Sequence, residues 1–184
     1  MSNPTGLIVA LMFATIVTMA VVNLLSLFAE RLKATGGVLA DVGETLWLIL
    51  VMLISLSMFW QCIDILNIED WSFTEFLFIV LGASILFFST TSIPKFKISD
   101  GEIKRLKENR VFFYLMASFQ AWLLLLDATL GAAPVFFIFF RLICFGSMIA
   151  AAVSSSAKAL WLSSAAFVAS LVILIVLQSL ASRI

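Results

Sequence analysis

Six stretches of about 20 residues, each free of charge or nearly so, dominate the chain, and that is the length an α-helix needs to cross a bilayer. They occupy residues 7–28, 46–63, 76–93, 111–130, 134–153 and 159–181. Composition agrees with the pattern. The 184 residues are 63% hydrophobic and only 12% charged, with a mean hydropathy of +1.17. A soluble domain is about half apolar and a quarter charged. A water-soluble fold of this size cannot hide so much apolar surface, so lipid must cover most of it. The run at 7–28 reads as a retained helix, because no basic residue precedes it and Ala29-Glu30-Arg31 is a poor cleavage site.

The loop charges set the expected orientation. Arg31 and Lys33 follow the first run; Lys95, Lys97, Lys104, Arg105, Lys107 and Arg110 lie between the third and fourth; Lys158 lies between the fifth and sixth. All of these fall on one side, whereas the other side has only Arg183, with Arg141 inside a span. Short loops rich in Lys and Arg stay cytoplasmic. The expectation is an all-α membrane protein, one helical domain over residues 1–184. Its six transmembrane helices form three consecutive hairpins with both termini outside, in a bacterial inner membrane crossed many times.

The outer connections are short. Leu130-Gly131-Ala132-Ala133-Pro134 has Gly to end one helix and Pro to start the next. Trp47 and Trp161 are expected at the inner interface and Trp71 at the outer one, as an aromatic belt requires, with Trp60 and Trp122 as deeper packing residues. The larger loops are cytoplasmic, at 29–45 and 94–110. In the second, Ser99-Asp100-Gly101-Glu102 resembles a capping box ahead of a short basic helix. Such a helix would lie on anionic lipid, although a positive loop that fixes topology needs no partner.

Polar residues inside the spans are the candidate functional groups, since a charge near the bilayer centre costs about 2.5–3.5 kcal/mol on insertion scales. Asp127 sits near the outer end of the fourth span and Arg141 two turns into the fifth. A tight turn makes these helices antiparallel neighbours and puts the two charges within about one helical turn in depth. They read either as a structural ion pair or as an anion site or polar pathway. Gln120 lies seven residues before Asp127 and shares its stripe, while Gln61 and Asp64 share a face of the second span. Counting Asp64, Glu69, Asp70, Glu75 and Asp127, the outer half is acidic and suited to concentrating cations. On the inner side Asn23, Ser26 and Glu30 share one face of the first span, level with Ser89, Thr90, Thr91 and Ser92. Those hydroxyls are expected to bond back to helical carbonyls.

Several chemistries have no support in these residues. There is no histidine, no nucleophile elbow and no glycine-rich phosphate loop. Cys62 and Cys144 lie apart, each inside an apolar run, and read as small core residues. No enzyme, cofactor, metal or nucleic-acid partner is expected. In the last two spans Gly146-x3-Ala150 and Ala165-x3-Ala169 form small-xxx-small pairs. Their expected use is packing within the chain, with a homo-oligomer or another membrane subunit as the alternative.

Trp60, Trp71-Ser72-Phe73, Phe76-Leu77, Pro94 and Arg110-Val111-Phe112-Phe113 carry a resemblance over roughly the first two thirds of the chain. With these features it resembles a widespread set of uncharacterised bacterial six-helix inner-membrane proteins. The resemblance implies the topology and no activity. Two function classes follow from the residues. One is an oligomeric channel or small transporter passing an ion or small polar solute along the Asp64, Asp127 and Arg141 region. The other is a non-catalytic accessory or scaffold subunit of a larger membrane complex.

Overall fold

The structure is a computed structural model that describes residues 4–33, 42–60, 65–66, 68, 71–93, 102–130, 135–154 and 157–181. These residues form six α-helices and, among them, no strand. The helices are α1 (Pro4–Lys33), α2 (Val42–Trp60), α3 (Phe73–Thr91), α4 (Glu102–Leu130), α5 (Val135–Val153) and α6 (Ala157–Ala181). Each overlaps one apolar run of the sequence. Five are long and apolar enough to cross a membrane; α2 falls just short, with an apolar stretch at Gly43–Phe59. Lipid offers backbone groups no hydrogen bonds, and a helix satisfies its own. The chain is therefore built as a multi-pass membrane protein.

Several helices run past their apolar runs. α1 continues to Lys33, so Glu30, Arg31 and Lys33 are helical instead of opening a loop at residue 29. Arg31 and Lys33 in its last turn face the negative end of the helix dipole. α2 likewise begins before the expected loop end at 45. The larger difference is at α4. Among the described residues no separate short helix precedes the fourth span, because Glu102 to Leu130 is one helix of 29 residues. Only Arg110–Thr129 of it is apolar enough to cross a membrane. Charge ends the apolar run there but does not end the helix, since Glu, Lys, Arg and Leu are all good helix formers. The capping box expected at residues 99–102 falls partly outside the described residues.

A different capping box starts α3. The Ser72 hydroxyl accepts from the Glu75 backbone N–H at 3.2 Å, and the Glu75 carboxylate accepts from the Ser72 N–H at 2.8 Å. Two otherwise unpaired donors of the first turn are satisfied in this way.

The helices group into two compact units, Met1–Ile98 and Ser99–Ile184. In the first, α1 packs against both α2 and α3. Its buried face recurs at helical spacing through Gly6, Val9, Ala10, Phe13, Val17, Ala20 and Leu24. The face of α3 adds Gly82 and Ala83. Small residues on both faces let the backbones approach, which matters because lipid tails are as apolar as leucine and supply no hydrophobic drive. Trp47, expected in the aromatic belt, is instead buried in this unit. In the second unit α5 lies between α4 and α6. Phe112, Phe113, Met116 and Phe119 of α4, Met148 of α5 and Phe167 of α6 are fully covered. Trp122 is a packing residue as expected, stacked on Phe119 with ring centroids 5.7 Å apart.

The small-residue pairs are used differently from the expectation. Gly146, Ala150, Ala165 and Ala169 are exposed, and a Cβ added at Gly146 would meet nothing within 4 Å. The contacts within the unit run instead through Ser147, Ala151, Ala152, Ser164 and Ser170 on the neighbouring faces. Spacing placed small residues in pairs but did not say which pair turns inward.

Candidate functional site

The second unit holds an ion pair at one end of the α4–α5 contact. α4 delivers Asp127 about one turn before its end, and α5 delivers Arg141 about two turns after its start. Asp127 Oδ2 pairs with Arg141 Nε, and the two side chains are 16% and 15% exposed. An antiparallel turn brings such positions together, and the length of arginine covers the remaining offset in depth. The pair neutralises both charges within apolar surroundings. It also leaves capacity unused, since a guanidinium carries five N–H donors and a carboxylate about four lone-pair sites. Chemically it can hold an anion at the guanidinium or pass a polar solute along its edge.

Gln120 lies on α4 seven residues before Asp127, about two turns and roughly 10 Å along the same stripe. It is 1% exposed, and neither its amide nitrogen nor its amide oxygen has a hydrogen-bond partner among the described residues. Leaving a buried donor or acceptor unsatisfied costs about 1–3 kcal/mol, so such a group calls for an explanation. Ser147 of α5 is also buried, and its hydroxyl donates to the Cys144 carbonyl of its own helix at 2.8 Å.

The first unit uses its polar residues for helix contacts. Asn23 of α1 donates from Nδ2 to Thr90 Oγ1 of α3 at 3.0 Å, and Thr90 in turn donates to the Phe87 carbonyl at 2.7 Å. Ser89 and Thr91 also bond back to carbonyls of their own helix, at 2.9 and 2.8 Å. Glu30, by contrast, is exposed, as is Ser26, so the polar layer expected on the inner side reduces, among the described residues, to the Asn23–Thr90 contact. A second ion pair closes α1 on α2: Arg31 meets Glu44 in the first turn of α2, with side-chain exposures of 19% and 7%. Glu44 falls inside the loop expected at 29–45. Its signal was an acidic residue just ahead of an apolar run, opposite a basic residue just after the preceding one.

Gln61 and Asp64 lie outside the described residues, as do Glu69 and Asp70. Glu75, expected in the acidic outer group, is engaged in the α3 capping box. Among the described residues no group of three or more His, Cys, Asp or Glu could hold a metal ion. The structure thus brings together Asp127 and Arg141, sets Gln120 on their stripe, and keeps Asn23 and Glu30 in the other unit. Comparison with protein-family models, with curated proteins and with solved structures finds no match to this chain. The functional reading rests on the chain's own residues.

Proposed function

We propose that the protein is an oligomeric membrane channel or small transporter that passes an ion or small polar solute through the Asp127–Arg141 region. The buried ion pair carries this reading. Ionisable residues inside membrane helices are costly, and they commonly mark ion and substrate pathways. Gln120 extends the polar stripe along α4 from the pair, and the charge pattern of the sequence counts Asp64 among the acidic residues expected in the outer half. Purified protein in liposomes tests the reading through dissipation of imposed K⁺, Na⁺, H⁺ and Cl⁻ gradients. Asp64→Asn, nearly isosteric and lacking only the charge, is expected to change that flux with the fold retained.

The proposed arrangement is three hairpins with both termini outside an inner membrane, the basic segment from Lys95 to Arg110 cytoplasmic and near anionic lipid. A cysteine introduced at Lys104 in a cysteine-free background is then labelled only after the membrane is permeabilised. One at Ser182 is labelled in intact cells. The reverse pattern would overturn the orientation.

The exposed small residues favour a second reading, an accessory subunit that packs against other membrane proteins. Gly146 and Ala150 on α5 and Ala165 and Ala169 on α6 are faces suited to close helix contact. Gly146→Leu separates packing between chains from packing within one. The space around Gly146 is open, so the fold is expected to survive while a helix partner is displaced. Loss of a homo-oligomer in mild detergent supports the transport reading. Loss of a stoichiometric foreign subunit supports the accessory one.

A further inference from the structure

Arg141 spends only part of its hydrogen-bonding capacity on Asp127. The contact runs from Nε to Oδ2, and both of these atoms are enclosed. Nη1, Nη2 and Oδ1 are not enclosed, and they make no hydrogen bond among the described residues. The 15% and 16% exposure of the two side chains therefore opens at these polar atoms. One N–H on each Nη nitrogen points the same way, and the planar fork they form matches two oxygens of a phosphate or carboxylate. A spherical halide meets such a fork less well. Oδ1 does not by itself make a cation site, since hard cations take about six oxygens. Among the described residues no cluster of acidic side chains supplies them.

The fork is also within reach of a ligand. Arg141 is rooted about two turns into α5, yet it meets Asp127 about one turn, or roughly 5 Å, from the end of α4. Its stem thus rises toward the helix ends and carries the charged head with it. We propose that the Nη edge of Arg141, held in place by Asp127 through Nε, binds an oxyanion of the phosphate or carboxylate type. The ligand is either the phosphate of a lipid headgroup or a dissolved anion at that end of the helices. Asp127 balances the charge of Arg141, so directed hydrogen bonds select the ligand and net charge does not. The inference rests on the ion pair that also carries the transport reading, but it concerns binding alone. Flux without oxyanion binding removes the ligand and leaves the route; binding without flux does the reverse.

The test is the melting temperature of purified protein in a mild neutral detergent, titrated with sodium phosphate against sodium chloride at constant ionic strength. A ligand that binds the folded state raises that temperature as its site fills. Phosphate is expected to raise it and chloride is not. The lipid arm compares phosphatidylglycerol with dioleoylglycerol, which has acyl tails and no phosphate. A shift with inorganic phosphate assigns the site to a dissolved anion, and a shift with phosphatidylglycerol alone assigns it to a headgroup. Arg141→Lys keeps a positive charge opposite Asp127 and loses the fork, so it should weaken binding by roughly tenfold or more. Asp127→Asn with Arg141→Gln should abolish binding while stranding no charge, and it carries the test if Arg141→Lys does not fold. Equal shifts from phosphate and chloride with no lipid effect, no shift in either arm, or variants that bind as the parent does would overturn the oxyanion site.

Discussion

Asp127→Ala and Arg141→Ala are each expected to reduce the folded yield sharply, and the double variant to recover much of it. Both side chains are about five-sixths covered, and they face each other as an ion pair. Removing one partner leaves the other charge buried without compensation, which typically costs about 3–5 kcal/mol. Removing both eliminates the stranded charge, and the remaining loss is that of the packing around two shortened side chains. Monodisperse yield and melting temperature in mild detergent read the difference. A non-additive cycle, with the double variant closer to the parent than either single one, is the signature of the pair. If both single variants melt like the parent, the two residues do not act on each other.

The second large effect is expected at the other ion pair. Among the described residues Glu44 is the charged residue with almost no exposure, and Arg31 lies against it from the last turn of α1. Arg31→Ala leaves that carboxylate inside the first unit without its cation and should destabilise by about 3 kcal/mol or more. Glu44→Gln keeps the shape and removes the charge, so it should be milder, as should the exchange Arg31→Glu with Glu44→Arg. Lys33→Ala is the control, because Lys33 is exposed and surface changes usually stay within about 0.5 kcal/mol. A melting temperature for Arg31→Ala equal to that of Lys33→Ala would show that the contact does not stabilise α1 against α2.

The two pairs show what could be read in the chain before its structure. All six helices follow from the apolar runs, because lipid demands an internally bonded backbone over that length. Their ends did not follow as well. At Lys33 and Glu102 the charges mark where the apolar run stops, but helix propensity carries the helix further. Asp127 and Arg141 were legible because two costly charges near one tight turn have few other ways to be neutralised. Arg31 and Glu44 were missed because the same charges looked like an ordinary cytoplasmic loop. Inward and outward faces were the least legible feature. A helix in lipid is apolar all round, so hydropathy does not separate Gly146 and Ala150, which face out, from Ser147 and Ala151, which face in. The orphaned amide of Gln120 is a property of packing, and only its seven-residue spacing from Asp127 was written in the chain.

The transport reading turns on one flux measurement in liposomes that uses the neutral pair Asp127→Asn with Arg141→Gln. This double variant keeps the side-chain shapes and strands no charge, so the protein should reconstitute with the same oligomer size as the parent. The parent is expected to dissipate at least one of the imposed K⁺, Na⁺, H⁺ or Cl⁻ gradients above the leak of empty vesicles, at membrane voltages of both signs. The neutral pair is expected to change the rate or the selectivity of that flux. A parent indistinguishable from empty vesicles for all four ions, or a neutral pair that conducts as the parent does, would contradict a pathway through Asp127 and Arg141.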